Sequence, residues 1–353
     1  MQKKTVVVLF GGTSTEYGVS LQSAASVIDH LDRSKYELML IGITREGAWL
    51  RFPGNTDQIR QDTWHTHSGC TPAFISPSRQ ASGIVEFIGT EYRIIPVDVV
   101  FPVLHGKYGE DGTLQGLLEL SGIPFVGCDT LSSAIGMDKG IASQLVRAAG
   151  IETAASVTVL EGDDLHRAID NAEKLGYPVY IKPAKSGSSF GITKAYNNAE
   201  LKDGIKLAFQ HDRKVVIEQN VEGFEVGCAV LGYADPLIAE VDEIELRGDF
   251  FNYEEKYSLK TSKIHLPARI SPNTAKQVKE AALRIYQALG CKGLARVDLF
   301  LTGDGRILFN EVNTMPGFTA ASRYPNMMRH SDISYPELMD KLIQLALDEE
   351  AAQ

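Results

Sequence analysis

The stretch Arg296-Val297-Asp298-Leu299-Phe300-Leu301, Thr302-Gly303-Asp304-Gly305, Arg306-Ile307-Leu308-Phe309-Asn310-Glu311-Val312-Asn313 reads as two alternating strands joined by a tight turn. Asp-Gly between such runs is a strong hairpin signal, because both residues accept the left-handed backbone a short turn demands. If Leu301 pairs with Arg306, the period of two sets Arg296, Asp298, Glu311 and Asn313 on one face. Asp298 is then diagonal to Glu311, ~7–8 Å away at Cα. Two carboxylates, an amide oxygen and a guanidinium make a set of hard oxygen ligands beside a cation. Mg²⁺ favours one or two carboxylates and completes its shell with phosphate oxygens. The plain alternative is a solvated face of ordinary ion pairs. The polar residues cluster at one end, and Phe300, Ile307 and Phe309 are expected to continue the face as apolar surface, which suits the edge of a cleft better.

A phosphate held by metal also needs lysines and a flexible cover. Lys182 ends a short strand-like run between Pro178 and Pro183, and Lys185-Ser186-Gly187-Ser188-Ser189-Phe190-Gly191 follows. A Gly/Ser loop lets backbone N–H groups approach phosphate oxygens, although by itself such a loop is more often a linker. Neither GxxxxGK[ST] nor GxGxxG occurs, which disfavours P-loop and ordinary dinucleotide sites. Near the N-terminus, Phe10-Gly11-Gly12-Thr13-Ser14-Thr15-Glu16 runs from strand through turn to helix, and His105-Gly106-Lys107-Tyr108-Gly109-Glu110-Asp111-Gly112 does the same. Both lie where strand C-terminal ends of a parallel sheet open onto a crevice. Glu16 could instead be a first-turn carboxylate favoured by the helix dipole, and His105 a hydrogen-bonded loop histidine. His65, His67 and Cys70 lack a nearby fourth ligand and make a poor zinc site. No Ser-His-Asp or Cys-His arrangement suggests itself.

The 353 residues suggest two domains or three small lobes at ~150 residues per domain. With 44% hydrophobic and 23% charged residues the chain can bury a core. A net charge of −10 and no long basic run argue against a nucleic-acid partner. No run approaches ~18 apolar residues, so no membrane span is expected. The short apolar run 6–10 leads straight into Gly11-Gly12, unlike an export signal. Four scattered cysteines read as reduced thiols of a cytoplasmic protein. Strand-like runs at 5–10, 37–43, 97–103 and 124–126 alternate with helical patterns at 20–31 and 113–120, which predicts a mostly parallel sheet covered by helices. Residues 53–92 read as a loop and hairpin insertion. A second lobe starts near Thr130, with Ser132 or Ser133 capping a helix that runs through Lys139 to Gly150, followed by a strand at 214–218. From 221 a strand-rich lobe carries helices at 273–289 and 335–347.

These pieces, in this order, resemble the D-alanine–D-alanine ligase family of the ATP-grasp superfamily over essentially the full length. The matching signatures are Phe10–Glu16, His105-Gly106 with Gly109-Glu110-Asp111-Gly112, Met137-Asp138-Lys139, Ile181-Lys182-Pro183 with Gly187-Ser188-Ser189, and Asn310-Glu311-Val312-Asn313-Thr314-Met315-Pro316-Gly317. The resemblance implies an α/β, three-lobed ATP-grasp fold. An N-terminal parallel α/β domain (1–129) would bind the first D-alanine, a central lobe (130–220) would clamp ATP, and a C-terminal lobe (221–353) would carry the metal and second-substrate sites. It implies ATP and two Mg²⁺ ions, with Mn²⁺ as a substitute, and a D-alanyl phosphate formed for peptidoglycan precursor synthesis. Lys139 and Lys182 would hold the α- and β-phosphates and Lys256 the γ-phosphate, under the Ser188-Ser189 loop. Glu218 and Gln219 would meet adenine, though Gln219 stands where many relatives have lysine, and Glu225 would meet the ribose. Asp298, Glu311 and Asn313 would hold metal. Glu16 would pair with the first D-alanine's ammonium, near His105; Arg296 and the Gly317 N–H would form the oxyanion site. Ser188 and Tyr257 would join Glu16 in fastening a lid, and Ser322 would bind the acceptor carboxylate. Family members suggest a homodimer.

Two segments depart from the housekeeping pattern of Phe-Tyr-Asp-Tyr before the Lys-Tyr pair and Ser-Leu after the Pro-Gly turn. Here they read Phe250-Phe251-Asn252-Tyr253-Glu254-Glu255-Lys256-Tyr257 and Ser322-Arg323. This is similar to the D-alanine–D-serine ligases of vancomycin resistance, in which the equivalents of Phe251 and Arg323 shape the acceptor pocket. Lactate-forming relatives lack the Glu-Lys-Tyr stretch, which argues against D-lactate. The resemblance therefore implies D-serine in preference to D-alanine, with a housekeeping D-alanine–D-alanine ligase as the alternative. Leaving Arg323 unpaired when D-alanine binds would add to that preference.

Overall fold

The computed structural model describes residues 3–187, 190–246 and 262–352. In the first lobe these form β1 (Lys4–Gly11), α1 (Tyr17–His30), β2 (Tyr36–Ile43), β3 (Trp49–Phe52), α2 (Thr56–Arg60), β4 (Thr71–Ile75), β5 (Gly83–Ile88), β6 (Glu91–Pro96), β7 (Val99–Val103) and α3 (Thr113–Ser121). Val6 to Phe10 are buried on both faces of β1, as a parallel strand covered on both sides requires. β1 pairs in parallel with β2 and β7. The parallel part stops there. Strands β3 to β6 add on antiparallel, giving the order β6-β5-β4-β3-β2-β1-β7. Residues 53–92 thus hold the expected loop and hairpin, whose strands extend the main sheet. That extension was disguised because β5 places a carboxylate, Glu86, at a buried position, where Arg51 Nη1 (2.9 Å) and Arg93 Nε (2.8 Å) neutralise it. Residues 124–126 contribute only a single bridge, Val100 to Phe125.

The chain continues through α4 (Thr130–Met137), α5 (Lys139–Ala148), β8 (Glu152–Thr153), β9 (Ser156–Leu160), α6 (Leu165–Glu173), β10 (Val179–Pro183), β11 (Thr193–Ala195), α7 (Asn198–Ala208) and β12 (Lys214–Gln219). The single helix expected over 130–150 is two. Asp129 caps α4 by accepting from Ser132 N–H, and Asp138 caps α5 by accepting from Ile141 N–H. Extended backbone at Asp138 breaks the run and makes Lys139 the first residue of α5. Ser132 and Ser133 lie inside α4. Strands β11-β10-β12-β9 form an antiparallel sheet. Val179, Ile181, Val215 and Ile217 on one face pack against Ile169, Leu201 and Ile205 of α6 and α7.

The last part comprises β13 (Gly223–Leu231), β14 (Leu237–Leu246), β15 (Ser262–His265), α8 (Pro272–Ala288), β16 (Leu294–Thr302), β17 (Ile307–Asn313), α9 (Arg323–His330) and α10 (Tyr335–Ala352). Its sheet runs β15-β14-β13-β16-β17-β8. Val226, Cys228, Val297 and Leu299 face α8, meeting Val278, Ala282 and Ile285 in one core. Alternation then gives Glu225, Gly227, Arg296, Asp298 and Phe300 to the opposite face. Residues of α9 and α10 join α1, β1 and β7 in a shared core that ties the first lobe to the last.

Candidate active site

The β16–β17 hairpin is pinned by Thr302 N–H donating to Arg306 O (3.0 Å) and by Gly305, whose φ of +85° is a left-handed position suited to glycine. Leu301 pairs with Ile307, not Arg306. Asn310 is then an extra residue, a β-bulge, beyond which Asp298 pairs directly with Glu311 and Arg296 with Asn313. The four polar residues share a face as expected, with Asp298 opposite Glu311 and not diagonal to it. Ile307 and Phe309 turn to the core side, and Phe300 alone continues the cleft surface.

Asp298 is 1% exposed and heavily bonded. Arg296 forks onto it through Nε (2.8 Å) and Nη2 (2.7 Å), Asn313 Nδ2 donates at 2.9 Å, and Arg323 Nη1 lies 3.3 Å away. Burial works against the Arg296 charge, but Asp298 outweighs it and holds the guanidinium above its ordinary range. Arg323 donates through Nε (2.8 Å) and Nη2 (2.7 Å) to Asp242 and through Nη1 (2.7 Å) to Glu225. It is therefore already paired, and the expectation that D-alanine would leave its donor orphaned does not hold.

Glu16 is the N-cap of α1, yet its side chain makes no capping bond. Its carboxylate is wedged between two glycines. A Cβ on Gly106 would overlap Oε2, and one on Gly187 would stand 2.5 Å from it. The loop that begins with Ser186-Gly187 therefore reaches the first lobe. Ser14 Oγ accepts from Glu16 N–H (3.1 Å) and donates to His105 O (2.6 Å), joining the two strand-to-helix turns.

His105 is buried, and burial lowers its pKa to about 4, against the opposing effect of its bond to Met315. It is neutral at pH 7. Nδ1–H donates to Met315 O (2.9 Å), so Nε2 accepts from Ser23 Oγ (3.1 Å), which itself accepts from Phe318 N–H (3.2 Å). Glu110 accepts from Gly106 N–H (2.6 Å) and Met315 N–H (3.1 Å). Burial, then the charge of Glu16, push its pKa up to about 8. Both side chains thus bolt the 105–112 loop to the loop after β17. In that loop a Cβ on Gly317 would stand 2.9 Å from Ser322 Oγ, the N-cap of α9, which accepts from Thr319 N–H at 3.0 Å.

Glu16, His105, Arg296, Glu311, Asn313, Gly317, Ser322 and Arg323 line one cavity. A second, of about 590 Å³, lies between the four-stranded and six-stranded sheets and is within the ordinary size for a small-molecule site. Lys182, Glu218, Gln219, Glu225 and Phe300 line it. Lys139, Ser186 and Glu311 line both, so the cavities adjoin. Lys182 Nζ meets Glu218 at 2.5 Å, and Lys139 Nζ donates to Ser186 O (2.7 Å), with Glu311 at 3.9 Å. Ser188, Ser189, Phe251, Lys256 and Tyr257 lie outside the described residues.

Among the described residues no three His, Cys, Asp or Glu side chains converge as a metal centre. Two facing carboxylates and the Asn313 amide oxygen, whose Nδ2 is spent on Asp298, fit a hard cation that takes its other ligands from phosphate. Sequence reasoning missed Glu110 as a participant, although it stood in a quoted motif. Asp242 was also missed; it lies on the face opposite the α8 core, across from Gly227, and is buried there under Arg323.

Two sheets that close on a cleft, with lysines from one and carboxylates from the other, define an ATP-grasp fold. The family model described as "D-ala D-ala ligase N-terminus" matches residues 5–128, and "D-ala D-ala ligase C-terminus" matches 145–344. The chain is 44% identical to a D-alanine–D-alanine ligase of Caldicellulosiruptor bescii, covering 99% of this chain and 96% of that one. It is 46% identical to the vancomycin/teicoplanin A-type resistance protein VanA of Enterococcus faecium, covering 98% and 99%. The crystal structure of VanG D-Ala:D-Ser ligase from Enterococcus faecalis superposes with a TM-score of 0.91 at 52% identity, covering 98% and 100%. The chain belongs to the D-alanine–D-alanine ligase family, which includes the vancomycin-resistance ligases. Among the described residues no helix is long and apolar enough to cross a membrane.

Proposed function

We propose that this ligase uses ATP to join D-alanine to a second D-amino acid, D-serine in preference to D-alanine, in the manner of the vancomycin-resistance enzymes. The observation that carries the acceptor reading is Arg323, a charged donor beside Ser322 in the same cavity as Glu16 and Arg296. The three lobes are taken as 1–129, 130–220 and 221–353, in a cytoplasmic homodimer.

When bound, ATP and Mg²⁺ supply the phosphoryl group that activates the first carboxylate and the positive charge that offsets it. The chain's own residues do the rest. Lys139 and Lys182 would hold the α- and β-phosphates and Lys256 the γ-phosphate, with Ser188 and Ser189 as part of the covering loop. Glu218 and Gln219 meet adenine. Glu225 would meet the ribose. Asp298, Glu311 and Asn313 would hold the metal. Glu16 accepts from the ammonium of the first D-alanine, and neutral His105 keeps the neighbouring loop in place. The incoming amine attacks the D-alanyl carbonyl, loses a proton, and phosphate departs. Arg296 and the Gly317 N–H stabilise the oxyanion formed on the way, where preorganised donors act most strongly. Ser188 and Tyr257 would join Glu16 in fastening a lid that excludes water, which would otherwise hydrolyse the acyl phosphate. Ser322, at the α9 N-terminus, takes the acceptor carboxylate, and Phe251 and Arg323 read its side chain.

The test is kcat/KM for the two acceptors, followed by phosphate release. One hydrogen bond from a charged donor to the D-serine hydroxyl is worth about 1.5–3 kcal/mol, roughly 10- to 150-fold. Because Arg323 is already paired, the lower part of that range is expected. Equal values, or an unchanged ratio in Arg323→Leu, would return the protein to a housekeeping D-alanine–D-alanine ligase.

A further inference from the structure

We infer that Gly227 is a positioning residue for acceptor choice: it seats the Arg323 guanidinium, an inference that rests on the role given to Arg323 above. Gly227 lies in β13, with Asp242 of β14 as its partner on one side and Asp298 of β16 on the other. The three form a row across the sheet with the glycine at its centre. Arg323 lies over that row. Its Nε and Nη2 reach Asp242, and its Nη1 is 3.3 Å from Asp298 and 2.7 Å from Glu225, two residues before Gly227 on the same face.

Nothing in the backbone asks for glycine here. Gly227 is not among the residues of positive φ, and a glycine inside a strand weakens it unless something approaches closely. What approaches is the guanidinium. A Cβ at Gly227 would overlap Arg323 Nη2, stand 3.0 Å from Cζ and 2.8 Å from Asp242 Oδ1. The smallest side chain would therefore lift the guanidinium from the sheet and break its two-point grip on Asp242. The height of Arg323 at the mouth of α9, where the acceptor's side chain is to be read, is set from beneath by a missing methyl group.

The experiment is Gly227→Ala, with D-serine and D-alanine compared as acceptors. The D-serine/D-alanine ratio of kcat/KM should fall about tenfold or to the Arg323→Leu value, and the double variant should fall no further. KM for the first D-alanine should stay within about twofold. If Gly227→Ala keeps the wild-type ratio while Arg323→Leu loses it, the seat is wrong and the acceptor reading stands. If Arg323→Leu itself leaves the ratio unchanged, the acceptor reading fails. The seat is then decided by melting temperature: Gly227→Ala should lower Tm in the wild-type background and not in the Arg323→Leu one, and a loss persisting in both overturns it. Should Gly227→Ala fail to fold, adding Arg323→Lys, whose unforked head clears the methyl, should restore soluble protein; continued insolubility also overturns it.

Discussion

Asp298 stands directly across the β16–β17 ladder from Glu311, and the two carboxylates live in opposite circumstances. Asp298 is enclosed and held by Arg296, Asn313 and Arg323, whereas Glu311 has a quarter of its side chain open to the junction of the two cavities. On the reading proposed above, one would be a structural anion as well as a ligand and the other chiefly a ligand.

Their amide variants should separate accordingly. Asp298→Asn leaves two buried arginines short of a counter-charge, so stability should drop by about 3–5 kcal/mol along with activity. Glu311→Gln should lower kcat by about 100-fold or more with little change in Tm. Thermal melts and phosphate release across a Mg²⁺ titration check both; equal destabilisation by the two variants would contradict the division.

Lys182 and Glu218 form a largely buried pair, and although burial opposes the lysine's charge, Glu218 raises its pKa above the ordinary value. Lys182→Met alone strands a carboxylate and should cost about 3–5 kcal/mol. The double variant Lys182→Met/Glu218→Gln should recover most of that stability and none of the nucleotide affinity. Denaturant melts with ADP titration separate the two roles, and recovered binding would remove Lys182 from the phosphate site.

Gly187→Ala puts a methyl group against the Glu16 carboxylate, across the boundary between two lobes. KM for the first D-alanine should rise about tenfold while the affinity for ADP is retained. The reverse pattern would place the strain in the nucleotide site instead.

Glu110 gives a pH signature. In the unfolded chain its proton leaves near 4.5; in the fold, burial first and Glu16 second hold it to about 8. Between those values the folded state carries the extra proton, so raising the pH through this window draws stability away from it. Glu110→Gln should flatten the fall in Tm between pH 5 and pH 8 relative to the wild type. An identical pH slope in both proteins would mean that the proton resides elsewhere.

The hairpin shows what was legible in the sequence. Placing Leu301 opposite Arg306 missed the true register by one residue at the turn, and the Asn310 bulge adds a second. Two single steps restore the parity, so Glu311 and Asn313 fall on the expected face, while Ile307 and Phe309, between the two steps, do not. Alternation is written in the residues; the length of a turn and the position of a bulge are settled by packing. The two-helix break at Asp138 was hidden for a similar reason: Asp is a weak signal within a helical run until the cap it makes is seen. Glu86, Asp242 and Glu110 eluded reading because a charge in the core is identified by its partners, and those lie from 4 to 205 positions away along the chain.

His105 and Glu110 carry a consequence for evolution by recombination. Each grips the backbone of Met315, more than 200 positions downstream, and Ser23 completes the clasp at Phe318. Every downstream partner in this clasp is a backbone group, so it asks nothing of the side chains at 315 and 318 and everything of Ser23, His105 and Glu110. A chimera that takes its first half from a relative with those three residues should keep the two loops joined, whichever parent supplies the second half.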